Sequence, residues 1–268
     1  MKKAPSLPKY FSPRNTLFSN LVLKLTPEEL AQWDEKDFRK VISSDRDTVR
    51  EELEDFLPCA VQETLRSEGE LTDVIRLFTA TTLLGEVGDP GSMDVMLDVL
   101  RQDSDFLDMC FGDDIFEYLP LAYYKVGRQC PEKLGDFISE MVSKSYQASA
   151  VAMSALFTII YKEPSRKAEI LAVARSVARN MISTIKDESQ VPPDDFTTTI
   201  FIEDLVHVHA SELLPEIKEL CDLGYTPYND TYEHIERDMR NMSYRLHYTA
   251  LDDEDSFPSL VEFIRSCL

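Results

Sequence analysis

Glu203 and His207 stand four residues apart in a segment with helical spacing, so both project from one helix face. A carboxylate and an imidazole are donor types that hold a transition metal, but two donors leave most of a coordination sphere unfilled. His207-Val208-His209 supplies no third donor, because residues two apart on a helix point about 200° away from each other. A solvent-facing or hydrogen-bonded pair is the ordinary role, and neither a metal nor a cofactor is expected. Glu203 and His207 are nevertheless the first place to look for a metal. A second polar cluster, Tyr232, Glu233, His234 and Glu236, borders an apolar seam of Tyr232, Ile235, Met239, Met242 and Leu246. His234 therefore reads as a boundary residue. No serine or cysteine sits in a recognised nucleophile signature, and no catalytic residue is assigned. Convergence of Glu203, His207 and His234 in the fold would favour an enzyme.

Phe111-Gly112-Asp113-Asp114 is the most distinctive polar motif. Packing by Phe111, a turn at Gly112 and a helix cap from Asp113 or Asp114 account for it structurally. With Asp103, Asp105 and Asp108 just before it, the stretch also offers an acidic lip for a cationic partner. Whole-chain charge points the same way: 49 Asp and Glu face 28 Lys and Arg, a net charge of -21. Such a chain repels phosphate backbones and anionic lipid, so the expected partner is a protein with a basic surface, not nucleic acid or membrane. Arg166, Lys167, Arg175, Arg179 and Lys186 are the material available for a cationic groove, and they fit an exposed helix face equally well.

The chain has 8 glycines, with neither a G-x-G-x-x-G nor a P-loop among them. Its 5 cysteines are scattered without C-x-x-C, which fits a reducing, cytoplasmic setting better than a disulfide framework. Prolines and polar residues interrupt what would have to be the apolar core of a secretory signal at the N-terminus.

These side chains must be positioned by helices. Residues 1–25 read as an irregular proline-containing leader. Thr26-Pro27-Glu28-Glu29 has helix-start chemistry, with a helix expected toward Trp33. A second helix should run from Asp47 to Leu57, ended or kinked by Pro58. From about residue 71 apolar residues recur at three-to-four spacing in four hairpins, with turns at Gly85 to Gly91, Gly127 to Pro131, Glu163 to Ser165 and Ala210-Ser211. The β-prone run Thr197 to Ile202 is followed by helical spacing, so packing should override its propensity. Pro90, Pro131, Pro164 and Ser211 recur roughly 33 to 47 residues apart, the period of two-helix solenoid repeats. Asp252-Asp253-Glu254-Asp255 reads as a solvated linker to a final helix, Pro258 to Cys267.

At Leu83-Leu84-Gly85-Glu86-Val87-Gly88-Asp89-Pro90-Gly91-Ser92-Met93 the chain resembles HEAT-like repeats of the phycobiliprotein-lyase type, whose signature is a Leu-Gly-x-x-Gly-Asp-Pro turn. In that motif glycine lets the first helix close in a left-handed cap, Asp89 caps the second helix and Pro90 sits in its first turn. More broadly, the order of features through Phe111-Gly112-Asp113, Glu212-Leu213-Leu214-Pro215-Glu216-Ile217 and Tyr232-Glu233-His234-Ile235-Glu236 is similar to an uncharacterised bacterial domain-of-unknown-function family. The similarity covers residues from about 70 to about 240. Helical-repeat di-iron hydroxylases use His-Glu dipeptides, and none of His207, His209, His234 or His247 is followed by Glu.

The resemblance and the spacing together imply an all-α α-solenoid of about four HEAT-like hairpins with helical caps at both ends. Residues 1–70 would form the leader and N-terminal cap, 71–225 the repeats, and 226–268 C-terminal helices packed on the same solenoid. The expected function is a non-enzymatic scaffold that binds a basic protein partner, with Asp103, Asp105, Asp108, Asp113 and Asp114 as the docking lip. The alternative is a lyase-like enzyme or enzyme subunit that takes a small molecule in the groove.

Overall fold

A computed structural model describes residues 26–227, 231–241 and 256–267. The leader, Met242, Leu246 and the acidic run Asp252 to Asp255 lie outside the described residues. All regular structure among the described residues is helical. The chain divides into two compact units, Met1–Val126 with Asp253–Leu268, and Gly127–Asp252.

The first unit begins with α1 (Pro27–Leu30) and α2 (Glu35–Ser44), each opened by a capping box, Thr26 with Glu29 and Asp34 with Asp37. The expected helix toward Trp33 is a single turn, because Asp34 restarts the chain as a new N-cap. Helix α3 (Arg46–Arg66) runs straight through Pro58. That proline lies on the exposed face, where water can satisfy the carbonyl it leaves without a helix partner. Helices α4 (Leu71–Val87), α5 (Ser92–Leu100), α6 (Ser104–Phe111) and α7 (Ile115–Gly127) follow, with a 3₁₀ turn at Gly112–Asp114.

The Gly85 to Gly91 segment corrects the expected turn chemistry. Helix α4 continues through Gly85, where an added Cβ would stand 2.8 Å from the Ala122 Cα. Gly85 is thus required by the close approach of α4 to α7. Gly88 has φ -63°, not a left-handed conformation. Its constraint is space, since a Cβ would fall 2.6 Å from the Leu84 carbonyl oxygen and 2.9 Å from Val126 Cγ2. Asp89 accepts from the Gly91 N–H at 2.7 Å, and Pro90 precedes the helix instead of opening it.

The last helix, labelled α14 below (Phe257–Ser266), belongs to this first unit, packing on α2 and α4. Phe257 stacks on Phe38 at 6.3 Å, and Phe263 meets Phe78 at 3.8 Å and Tyr118 at 5.8 Å between ring centroids. Each buried phenylalanine contributes about 2–3 kcal/mol of apolar transfer. The buried Tyr123 hydroxyl donates to the Met96 carbonyl at 2.7 Å, joining α7 to α5.

The second unit holds α8 (Pro131–Met141), α9 (Tyr146–Lys162), α10 (Lys167–Lys186), α11 (Asp195–His207), α12 (Leu214–Asp222) and α13 (Tyr232–Arg240). The β-prone Thr197 to Ile202 run is helical, started by Asp194, whose carboxylate accepts from the Thr197 N–H at 2.6 Å. Each helix from α8 to α11 also touches the next but one, α8 with α10, α9 with α11, α10 with α12 and α11 with α13. Within the first unit α3 touches α5 and α2 touches α4 in the same manner.

Two stability predictions follow from this packing. Gly88→Ala should lower stability by about 1–3 kcal/mol through crowding against backbone, despite the ordinary φ; an unchanged urea midpoint would show that α7 yields. Glu86 accepts from Lys125 Nζ at 2.7 Å through both carboxylate oxygens and from the Ser256 N–H at 2.7 Å. Glu86→Ala should therefore cost about 3 kcal/mol by stranding the Lys125 ammonium, and adding Lys125→Met should recover part of that loss in a double-mutant cycle.

Candidate functional site

The metal candidates lie at the end of α11. Glu203 is exposed while His207 is half-buried, its Nδ1 4.0 Å from Oδ1 of the buried Asp204, beyond hydrogen-bond reach. Burial, and secondarily the neighbouring His209, pushes the His207 pKa down to about 4, which keeps the imidazole neutral near pH 7. His209 lies past the helix end with φ 51°, and its N–H and that of Ala210 bond back to Val206 and Leu205. Its carbonyl accepts from Lys167 Nζ at 2.7 Å. This histidine thus occupies the left-handed closing position usually given to Gly or Asn. His234 is exposed on α13, beside the buried Ile235 and Met239. No group of three or more His, Cys, Asp or Glu placed to hold a metal occurs among the described residues.

The basic stripe of α10 faces α12. Arg175 bonds the Glu212 carbonyl at 2.7 Å and the Glu216 carboxylate at 3.1 Å, and Arg179 reaches the same carboxylate at 3.4 Å. Lys186 pairs with Glu219. Arg166 is held by Glu169 at 2.7 Å and donates to the Arg128 carbonyl at 2.6 Å. The five bases available for a cationic groove, Lys167 included through the His209 carbonyl, are engaged with their own fold.

The acidic stretch is placed differently. Asp103, Asp105, Asp108, Asp113 and Asp114 are all exposed on α6 and the turn after it. Asp103 is the capping residue, its carboxylate accepting from the Phe106 N–H at 2.9 Å. Gly112 makes the turn expected of it with φ 51°, a conformation that L side chains rarely adopt. Asp113 and Asp114 lie inside the 3₁₀ turn.

Two further acids, Glu117 and Glu262, stand with Asp114 around Tyr118. The Tyr118 pKa is pushed up to about 12, first by burial and then by the charges of Glu262, Glu117 and Asp114. Glu262 comes from α14, so only the return of that helix brings it here. Its remoteness in sequence left no local signal.

Recesses open on the first unit include two lined by described residues. One, about 230 Å³, runs between α3 and α5 with Leu57, Pro58, Val61, Val95 and Val99 on its walls and Asp98 and Arg101 at its edge. The other is a wide depression beside α14, bordered by Glu35, Glu262 and Arg265. Neither contains a nucleophile and base within hydrogen-bond reach of each other.

Comparison with known proteins found no matching protein-family profile, curated protein or solved structure. No helix among the described residues is long and apolar enough to cross a membrane.

The His207 environment predicts a pH dependence. Unfolded, the imidazole takes up a proton near 6.5, and folded only near 4, so the unfolded state binds more protons between these values. Stability is fully present above about pH 6.5 and falls as pH drops toward about 4, by up to about 3 kcal/mol. Urea unfolding of the native protein and His207→Gln should show a shallower pH slope for the variant; identical slopes would mean that water reaches the imidazole.

Proposed function

We propose that this chain is a helical-repeat scaffold, an α-solenoid of HEAT-like hairpins, that binds a partner protein through the acidic face of α6, the following turn and the start of α7. The repeat reading is supported by the recurrence of one contact pattern. In the first unit Arg46 donates to the Glu86 carbonyl, Arg50 pairs with Asp89 and Ser92 bonds Glu54, at separations of 38 to 40 residues where a hydrogen bond is formed. In the second unit equivalent links between successive turns span 38 and 42 residues, Arg166 to the Arg128 carbonyl and Lys167 to the His209 carbonyl. Stacked hairpins of one period place equivalent positions beside each other in this manner. Contacts of α2, α3 and α8 to α11 with the next helix but one support the same arrangement.

One observation carries the binding reading: Asp105, Asp108, Asp113 and Asp114 are exposed, and Glu117 and Glu262 stand with Asp114 around Tyr118, while the basic stripe of α10 is taken up by α12. The resulting field favours a basic protein surface and steers its approach. A partner captured by the full chain from the native host should associate about tenfold more slowly at physiological than at low ionic strength, because exposed charges are screened over about 8 Å at 0.15 M. Changing Asp105, Asp108, Asp113 and Asp114 together to Asn should slow association, with Asp103 left in place to hold its cap. A partner that associates equally fast with that variant and ignores salt would overturn the acidic-face reading.

A further inference from the structure

Three exposed large hydrophobic side chains of the first unit come from different elements and lie on or either side of one turn in the chain, Leu65 and Leu71 flanking Gly69 in sequence and Met109 resting on it. Leu65 ends α3, Leu71 starts α4 and Met109 lies on α6, with relative exposures of 42%, 39% and 39%. Gly69 sits between the two leucines, and the Met109 side chain lies directly upon it. A Cβ at Gly69 would stand 2.6 Å from Met109 Cγ and 2.8 Å from its sulfur. Gly69 also has φ 77°, so it both closes the turn and seats the methionine.

The surroundings of this apolar spot are acidic. Glu68 and Glu70 flank Gly69, and Asp105 stands one helical turn before Met109 on α6, with Asp108 beside it, all four exposed. Arg66, the base in the turn, is held by Glu63. Glu68 carries its carboxylate at φ 54°, a conformation that glycine or asparagine adopts more cheaply.

From this juxtaposition we infer that the Leu65, Leu71 and Met109 spot is the anchor of the partner-binding surface, and that its occupant is a basic amphipathic segment of another protein, an apolar side chain flanked by Lys or Arg. The inference rests on the acidic-face reading above and adds an apolar component to it. The unbranched, polarizable Met109 adapts to the shape of an inserted side chain. The acidic collar complements flanking cations and works against an isologous contact with a second copy, which would bring like charges together.

The test uses the full chain with ¹³C-methyl methionine, the Met109 signal being assigned by Met109→Leu. The probes are a synthetic amphipathic Leu/Lys helix, a Ser/Lys peptide of equal charge and a Leu/Glu peptide of the same pattern. The Leu/Lys peptide should shift the Met109 methyl signal and bind at least about tenfold more tightly than either control. Met109→Ser should lose about tenfold in affinity while its urea midpoint holds, and Met109→Leu should retain binding. Equal binding of the Ser/Lys peptide, or undiminished binding to Met109→Ser, overturns the apolar anchor but leaves the acidic face standing. Equal binding of the Leu/Glu peptide removes the charge complementarity, and failure of every cationic peptide to bind overturns both readings.

Discussion

Glu86 lies at the end of α4, where four helices of the first unit are tied together. Its carboxylate accepts from the Lys125 ammonium of α7 and from the Ser256 N–H at the entry to α14, and its backbone carbonyl accepts from Arg46 of α3 at 2.6 Å. The side chain is only 9% exposed, so the charge is withdrawn from water and needs these partners. The surrounding geometry follows from satisfying it: α7 is held near enough to α4 that Gly85 and Gly88 have no room for a Cβ. The same carboxylate holds the entry to α14 on this unit, where Phe257 and Phe263 complete the aromatic packing.

Charge is distributed between structural and solvent-facing uses. Arg175, Arg179 and Lys186 of α10 interact with carboxylates of α12, and Arg175 also with the Glu212 carbonyl in the turn before it. The acids of α6 and its following turn are exposed, apart from the service of Asp103 as a cap. A net charge of -21 is therefore not spread evenly in its consequences. The face bearing Asp105 to Asp114 is where the field reaches an approaching molecule.

Left-handed backbone shows how context overrides a motif. The turn glycine that most resembles a repeat signature, Gly88, has an ordinary φ and is constrained by neighbouring atoms, whereas Glu68 and His209 hold left-handed positions where glycine would be expected. At His209 the following Ala210 N–H reaches back to Leu205, and Lys167 bonds its carbonyl, so contacts with the rest of the unit fix the conformation.

Local sequence determined what local physics controls. Three-to-four spacing identified the chain as helical, cap chemistry located Thr26-Pro27, and Thr197 to Ile202 was rightly assigned to helix because apolar spacing outweighs β propensity when a helix face is buried. The exposure of the α6 aspartates was legible too, since charges resist burial. Tertiary structure decided what depends on distant partners. Pro58 is tolerated because of which face meets water, α14 belongs to the first unit because Phe78 and Glu86 receive it, and Glu262 stands near Tyr118 with Asp114 as a result. Met109 reaches the turn at Gly69, between Leu65 and Leu71 in sequence, only because α6 folds back onto it. No periodicity encodes such meetings, because they arise from packing between elements far apart in sequence and not from the repeat of any one of them.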